Sequence, residues 1–103
     1  MIQDTDNKTY AFSGPMLEKV SLLDLTNDKA IEWLKNYFKE TEKLGVDGWM
    51  ADFGEWLPFD SNLYSGDTGE KTHNTYPTQW HKINLDFWKK ARPNGDFVYF
   101  TRS

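Results

Sequence analysis

Short apolar runs alternate with segments of helical periodicity along most of this chain. Residues 20–25, 46–51 and 96–101 are apolar runs of strand length. The second run consists mainly of small, apolar and aromatic residues, which is typical of a strand covered on both faces. The order strand, helix, strand, helix, strand predicts an α/β fold in which three parallel strands are joined by right-handed crossovers, with two helices packed on one side.

The first predicted helix lies between the first two runs. Asn27 and its neighbours offer capping side chains and first-turn negative charge. Ile31, Leu34 and Phe38 fall on one face, and Gly45 is suited to end the helix. We therefore expect one amphipathic helix between these residues.

The second predicted helix lies between the second and third runs. It begins near residues 74–75, with Pro77 in its first turn, and the Pro-Asn-Gly sequence at 93–95 stops it. Four residues are spaced for one buried face: Trp80, Ile83, Phe87 and Ala91.

Two segments show no such periodicity. Residues 1–18 are polar and rich in turn formers, including Ser13, Gly14 and Pro15, and are predicted to be loop or a short irregular strand. Residues 60–72 are polar and too long for a simple turn, so we expect a functional loop on the rim of an active site. An EF-hand is rejected there, because Ser65 stands where the motif needs glycine and Lys71 where it needs glutamate.

Composition and charge exclude several classes of function. With 12 basic and 16 acidic residues, a net charge of −4 and no basic cluster, the chain is not expected to bind nucleic acid. No apolar run approaches the length of a membrane span, and the polar N-terminus does not resemble a signal peptide, which favours the cytoplasm while leaving the compartment open. The chain has no cysteine, and His73 and His81 lack zinc-binding spacing, so we predict neither a metal nor a cofactor.

Charged residues follow the predicted strands and indicate a site. Asp24, Asp52 and Arg102 each lie at the C-terminal end of a strand, the edge where catalytic groups collect in (β/α) folds. Asp52 has a short side chain on a rigid strand end, and a nearby cation such as Arg102 would keep it ionised. The alternative is a structural aspartate that accepts hydrogen bonds from loop amides.

The sequence Gly-Trp-Met-Ala-Asp-Phe-Gly-Glu at residues 48–55 closely resembles glycoside hydrolase family 31. Matching residues recur in order at 23–27, 57–58, 73–74 and 100–103. The resemblance implies that Asp52 is the nucleophile of a retaining α-glycosidase, which forms a covalent glycosyl-enzyme intermediate. It also implies substrate-binding or supporting roles for Phe53, Glu55, Arg102, Asp24, Trp49 and His73. The family's acid/base is an aspartate on a later loop, so Glu55 is expected to support the site.

Within that family the motif is most similar to the sulfoquinovosidase branch. Many family α-glucosidases have Asp-Met-Asn-Glu at the positions of residues 52–55, and the α-xylosidase type has lysine where Met50 stands. An α-glucosidase remains the alternative. From another class, the chain could be a noncatalytic carbohydrate-binding or structural fragment.

Length limits what the chain can do alone. A (β/α)8 barrel needs roughly 250 residues, and 103 supply about three strands and two helices. We therefore expect residues 1–103 to form a partial catalytic barrel domain that acts on a carbohydrate substrate, an α-glycoside, only with the remainder of the barrel. The isolated chain is expected to be inactive.

Overall fold

The computed structural model describes residues 1–14 and 16–102, and Pro15 of the predicted turn and Ser103 of the last matching motif lie outside that part. The elements run in the order β1 (Phe12–Gly14), β2 (Leu17–Val20), α1 (Asp28–Lys43), β3 (Gly48–Ala51), α2 (Gly69–Thr72), α3 (Tyr76–Ala91) and β4 (Val98–Thr101). β1 and β2 form an antiparallel hairpin, and β3 pairs with β4 in parallel.

The parallel pair β3–β4 confirms the prediction for the second and third apolar runs. Its register matches Gly48 with Val98 and continues to Ala51 with Thr101. Gly48 is needed here, because a Cβ atom at this position would overlap the Val98 carbonyl. The side chains of Trp49 and Tyr99 turn toward the helices, with the Tyr99 hydroxyl donating to a carbonyl of α3 at 3.1 Å.

The prediction of a first parallel strand at residues 20–25 is wrong. Val20 ends β2, where it pairs antiparallel with β1, and residues 21–25 belong to no strand. Their carbonyls are used elsewhere. Leu22 accepts from Ile2 N at 3.1 Å, Leu23 from the Tyr76 hydroxyl at 2.8 Å, and Leu25 from the Gln79 amide at 2.6 Å. Because these donors come from the N-terminal segment and α3, the segment is fixed without a β-ladder.

Both predicted long helices are present. The Asn27 side chain accepts from Lys29 N at 3.0 Å to cap α1, and Gly45 follows the helix with φ +92°. In α3, Pro77 lies in the first turn as expected. The buried face of α3 differs from the prediction at its end: Ala91 is exposed, whereas Asn84 and Trp88 are fully buried.

An aromatic cluster joins the helices to the sheet. Trp88 is completely buried, with ring centroids 4.5 Å from Trp49 and 5.6 Å from Phe97. Phe38 of α1 lies 4.8 Å from Trp49, and Phe87 lies 5.3 Å from Phe38. Burying each such side chain contributes about 1.5–3 kcal/mol, so this cluster helps to hold β3 against the helices.

Arg92 closes the opposite end of the sheet from Asp52. Its guanidinium contacts Glu42 at 3.0 Å and Asp47 at 3.2 Å, and it lies over the Trp88 ring at 5.8 Å. The hydrogen bond to Glu42, followed by that to Asp47, raises the pKa of Arg92. Arg92 thus ties the end of α1 and the start of β3 to the end of α3.

The two segments without regular periodicity contain short elements, including the three-residue strand β1 with its irregular register. Residues 1–18 contain β1 and the first half of β2, and the 60–72 segment contains the short helix α2. Gln3 and Asn62 form an isolated antiparallel bridge, with N–O distances of 3.1 and 2.7 Å. The N-terminal segment therefore holds the long loop in place.

One face of the parallel sheet is open in this chain. Met50 is 42% exposed, Val98 67% and Phe100 55%, so the expectation that residues 46–51 are covered on both faces is wrong for the chain by itself. The helices cover only the face that carries Trp49 and Tyr99. Among the described residues, no helix has the length and apolar character needed to cross a membrane.

Candidate active site

Parallel in-register strands bring Asp52 and Arg102 together. Ala51 and Thr101 are paired at the ends of β3 and β4, and Asp52 and Arg102 are the next residues. Asp52 Oδ2 lies 3.1 Å from Arg102 Nη2, with 19% of the Asp52 side chain exposed against 56% for Arg102. The site is thus a carboxylate on a rigid strand end with a guanidinium beside it, open to solvent on the arginine side.

The turn after Asp52 has an unusual backbone. Phe53 has φ +64°, a left-handed conformation that is uncommon for a residue with a side chain. Its N–H donates to Asp52 Oδ1 at 2.8 Å. Its ring lies 5.8 Å from Arg102 Cζ and 4.8 Å from the Trp56 ring, which it meets edge to face. Phe53 therefore contacts both charged residues.

Gly54 lets the turn approach helix α3. A Cβ atom on Gly54 would lie 2.7 Å from Trp80 Cδ1, closer than a real side chain can be. Gly54 is not among the residues with positive φ, so the glycine serves close approach and the neighbouring phenylalanine takes the left-handed conformation.

A pocket of about 190 Å³ lies beside Asp52. It is lined by Ser21, Leu22, Leu23, Asp52, Phe53, Gly54, Tyr76 and Trp80. Ser21 Oγ and Trp80 Nε1 are buried without a hydrogen-bond partner in the described part of the chain. No pattern in the sequence indicates Ser21 or Tyr76 at this place, and Trp80 was expected only as a core residue.

Asp24 is buried, only 4% exposed, and its carboxylate has a structural use. It accepts from Thr26 N at 3.0 Å, from Thr26 Oγ1 at 2.6 Å and from Tyr64 N at 2.7 Å. These bonds tie the 60–72 segment to the end of residues 21–25. Among the described residues, Asp24 forms no hydrogen bond or ion pair with Asp52 or Arg102.

Three further candidates differ in their surroundings. Glu55 is half-buried, and its Oε2 has no hydrogen-bond partner among the described residues. His73 Nδ1 forms a hydrogen bond with the Leu57 carbonyl at 2.6 Å, and its ring centroid lies 4.4 Å from that of Phe59, which fixes the chain after the Asp52 turn. Trp49 lies in the aromatic cluster and donates to Asn84 at 2.8 Å, so its contacts are those of a supporting residue.

Asn84 is a supporting residue that sequence reasoning missed. It is fully buried, accepts from Trp49 Nε1 and donates to the Trp80 carbonyl at 2.9 Å. Its position directly after Ile83, next to the apolar face of the helix, was the only available signal. Across residues 1–14 and 16–102, no three histidine, aspartate or glutamate side chains form a group that could hold a metal ion.

Comparison with known proteins identifies a matching protein family. The model of the TIM-barrel domain of glycosyl hydrolases family 31 matches residues 1–103. The chain is 40% identical over 83 residues to the sulfoquinovosidase of Escherichia coli (strain K12), covering 80% of this chain and 12% of that protein. It is 34% identical over 102 residues to the sulfoquinovosidase of Agrobacterium fabrum, covering 97% of this chain and 15% of that protein.

A solved structure is similar over nearly the whole chain. The family 31 sulfoquinovosidase from E. rectale, in complex with an aza-sugar inhibitor, superimposes with a TM-score of 0.89 at 41% identity. The match covers 99% of this chain and 15% of that one. The chain thus spans about an eighth to a seventh of the length of these relatives.

Proposed function

The chain belongs to glycosyl hydrolases family 31, within the TIM-barrel domain, and from that premise we propose that residues 1–103 are part of the catalytic domain of a retaining α-glycosidase. The parent enzyme is here the complete protein that contains these residues. In this proposal the parallel pair β3–β4 and the helices α1 and α3 form a segment of a barrel that the rest of the parent completes.

Asp52 is the proposed nucleophile. A carboxylate oxygen attacks the anomeric carbon, the bond to the leaving oxygen breaks, and an acid outside these residues protonates that oxygen. Water, deprotonated by the same group, then attacks the anomeric carbon and releases the sugar and the Asp52 carboxylate. The two carboxyl groups of such a pair are about 5 Å apart. This separation leaves no room for a water molecule between the nucleophile and the sugar, so the carboxylate itself attacks.

The observation that carries this proposal is the ion pair at the strand ends. Asp52 Oδ2 and Arg102 Nη2 are 3.1 Å apart, and the in-register strands beneath them fix that spacing. A nucleophile must be held within a fraction of an ångström of its productive position, and a strand end achieves this better than a loop. Phe53, Glu55, Asp24, Trp49 and His73 are proposed to bind substrate or to support this pair.

Two variants of the parent enzyme test the nucleophile. Asp52→Asn should lower kcat by several orders of magnitude with an unchanged melting curve, because the amide has a similar shape but cannot attack. In Asp52→Gly, added azide should restore turnover of an activated aryl α-glycoside and yield a glycosyl azide of inverted configuration. Asp86→Asn, an exposed change of the same kind on α3, is the control. Near-normal activity in Asp52→Asn would refute the assignment.

For the substrate, we propose an α-sulfoquinovoside. This is supported by the similarity to two sulfoquinovosidases and by the residues from 48 to 58, which match that branch rather than the glucosidase or xylosidase types. A pocket whose donors pair with a sulfonate leaves them unpaired with a plain glucoside, so discrimination by orders of magnitude is physically reasonable. The ratio of kcat/KM for aryl α-sulfoquinovoside and aryl α-glucoside decides the point, and a preference for glucoside moves the parent to the α-glucosidase alternative.

The isolated 103 residues are proposed to be inactive, because the acid/base group is supplied by another part of the parent. Purified residues 1–103 should release no aryl aglycone, while the parent does. The noncatalytic alternative gives a different result: the parent would bind the glycosides and leave them intact.

A further inference from the structure

Phe53 is the residue that touches both charged groups of the site. Its N–H bonds to Asp52 Oδ1, and its ring lies beside the guanidinium that binds Asp52 Oδ2. We propose that Phe53 is a positioning residue, which fixes Asp52 through its backbone and Arg102 through its ring. This inference rests on the proposed function, since it assigns the residue a part in the attack by Asp52.

The backbone of Phe53 is held in a conformation that its side chain disfavours. Left-handed φ values are usual for glycine and tolerated by asparagine or aspartate, whereas a phenylalanine adopts them only when its surroundings impose the conformation. At φ +64° the Phe53 N–H points back to Asp52 Oδ1, with an N–O distance of 2.8 Å. The adjacent close contact between Gly54 and Trp80 keeps the turn from relaxing.

The ring of Phe53 lies against an exposed cation. Arg102 follows the last strand, its side chain is 56% exposed, and its guanidinium contacts the Asp52 carboxylate and the Phe53 ring. A guanidinium within about 6 Å of a ring centroid is attracted to the ring face, and the distance here is 5.8 Å. Held there, Arg102 stays within 3.1 Å of Asp52.

The Phe53 ring is itself supported from the hairpin. Trp56 meets it at 4.8 Å and an interplanar angle of 61°, and Phe12 of β1 meets Trp56 at 6.5 Å. Gly14 admits the Trp56 ring, because a Cβ atom there would overlap it. The hairpin thus fixes Trp56, which fixes Phe53, which fixes the ion pair.

The test separates the ring from simple packing in the parent enzyme. Phe53→Leu keeps an apolar side chain without a π face, and Phe53→Tyr keeps the face. The readout is the rate constant of covalent trapping by a fluorinated, mechanism-based glycoside, which reports attack by Asp52, together with the inhibition constant of an unreactive substrate analogue. Phe53→Leu should slow trapping about two- to tenfold with little change in that inhibition constant, and Phe53→Tyr should recover most of the loss.

Two further measurements make the result decisive. Tyr37→Leu, which removes an exposed ring from α1, is the matched control and should not slow trapping. The effects of Phe53→Leu and Arg102→Gln should be non-additive in the double variant, because both break the same contact. If Phe53→Leu does not fold, Phe53→Met takes its place.

Three outcomes would overturn the inference: wild-type trapping in Phe53→Leu, equal loss in Phe53→Tyr and Phe53→Leu, or additive effects with Arg102→Gln. None of them touches the proposed function, which fails separately if Asp52→Asn retains activity.

Discussion

Two aspartates that follow apolar runs have opposite surroundings. Asp24 is 4% exposed and accepts three hydrogen bonds from Thr26 and Tyr64. One carboxylate oxygen of Asp52 contacts Arg102, and the other accepts a hydrogen bond from the Phe53 amide. The Asp52 carboxylate is partly exposed to solvent and lines the adjacent pocket. A carboxylate whose bonds are all internal stabilises a loop, whereas one beside a pocket can meet a substrate.

Asp24 should therefore matter for stability. In Asp24→Ala, Tyr64 N and the Thr26 donors lose their acceptor, and the free energy of unfolding should fall by about 2–4 kcal/mol. Asp24→Asn should lose less, because its amide oxygen still accepts. Urea unfolding of the parent, followed by tryptophan fluorescence, measures both against Asp86→Ala as an exposed control. Equal stability of Asp24→Ala and the control would contradict this structural role.

Gly54 should matter for activity. A methyl group at Gly54 would lie 2.7 Å from Trp80 Cδ1, so the turn that carries Asp52 must move away from α3. We expect Gly54→Ala to lower kcat of the parent at least about tenfold, since small displacements of a nucleophile are costly. Gly66→Ala in the 60–72 segment is a useful comparison: nothing lies within 4 Å of its Cβ position, although its φ of +86° adds backbone strain. A Gly54→Ala enzyme with normal kcat would show that the turn tolerates the shift.

At the residue scale, the sequence predicts which side chains the ends of parallel strands bring together. Asp52 and Arg102 lie together because each follows a strand of one in-register pair. The left-handed Phe53 could not be predicted, because the glycine beside it is the usual candidate for that conformation. Position 54 requires glycine because Trp80 leaves no space for a side chain there. Trp80 is 26 positions away in the sequence and comes close only in the folded chain, so the requirement could not be predicted.

At the scale of elements, an apolar run alone does not distinguish a paired strand from a segment that is held by hydrogen bonds outside a β-ladder. Residues 20–25 and 46–51 both have strand composition, but only the second forms a parallel ladder, and the first contributes Val20 alone to the antiparallel hairpin. The carbonyls of Leu23 and Leu25 are taken by side chains of α3, which no local pattern reveals. Helices were easier, because Asn27 and Gly45 mark the ends of α1 within a few residues.

The bond from Tyr76 to Leu23 predicts an alkaline loss of stability. Burial, with a smaller effect from Asp24, raises the pKa of Tyr76 well above its usual value of about 10. The unfolded chain therefore loses this proton first, so stability is full below about pH 10 and decreases as pH rises through the interval up to the folded pKa.

Tyr76→Phe tests this link between α3 and the segment before α1. The variant should lose about 1 kcal/mol at neutral pH, because the Leu23 carbonyl loses its donor. Its melting temperature should also fall less than that of the wild-type parent between pH 8 and pH 11. Parallel curves for the two proteins would show that Tyr76 does not titrate on unfolding. Tyr64→Phe, a change on an exposed ring, is the control.

In the whole molecule, one face of the parallel sheet is covered by helices and the other face is exposed. The helices cover Trp49 and Tyr99, while Met50, Val98 and Phe100 remain exposed. In a complete barrel the face away from the helices points inward and is filled with side chains. The chain covers 12–15% of its relatives' length, which accords with a part whose inner face is covered by other parts of the parent.

The exposed sheet face should therefore promote self-association of the isolated chain, whereas the same side chains should stabilise the parent. Isolated residues 1–103 should self-associate in size-exclusion chromatography with light scattering, because Met50, Val98 and Phe100 form an apolar surface beside two strand edges that have no partner in the described part of the chain. Changing all three to threonine, which keeps β-propensity, should reduce that association but lower the melting temperature of the parent, where we expect the same side chains to be buried.

Trp33→Ser with Tyr37→Ser is the matched control, since it removes two exposed rings from α1 and leaves the sheet face intact. It should reduce association of the isolated chain less than the triple change does. A parent enzyme that keeps its melting temperature with all three threonines would mean that this face is not the inside of a barrel. The proposed arrangement of the catalytic domain would then be wrong, even if Asp52 remained essential.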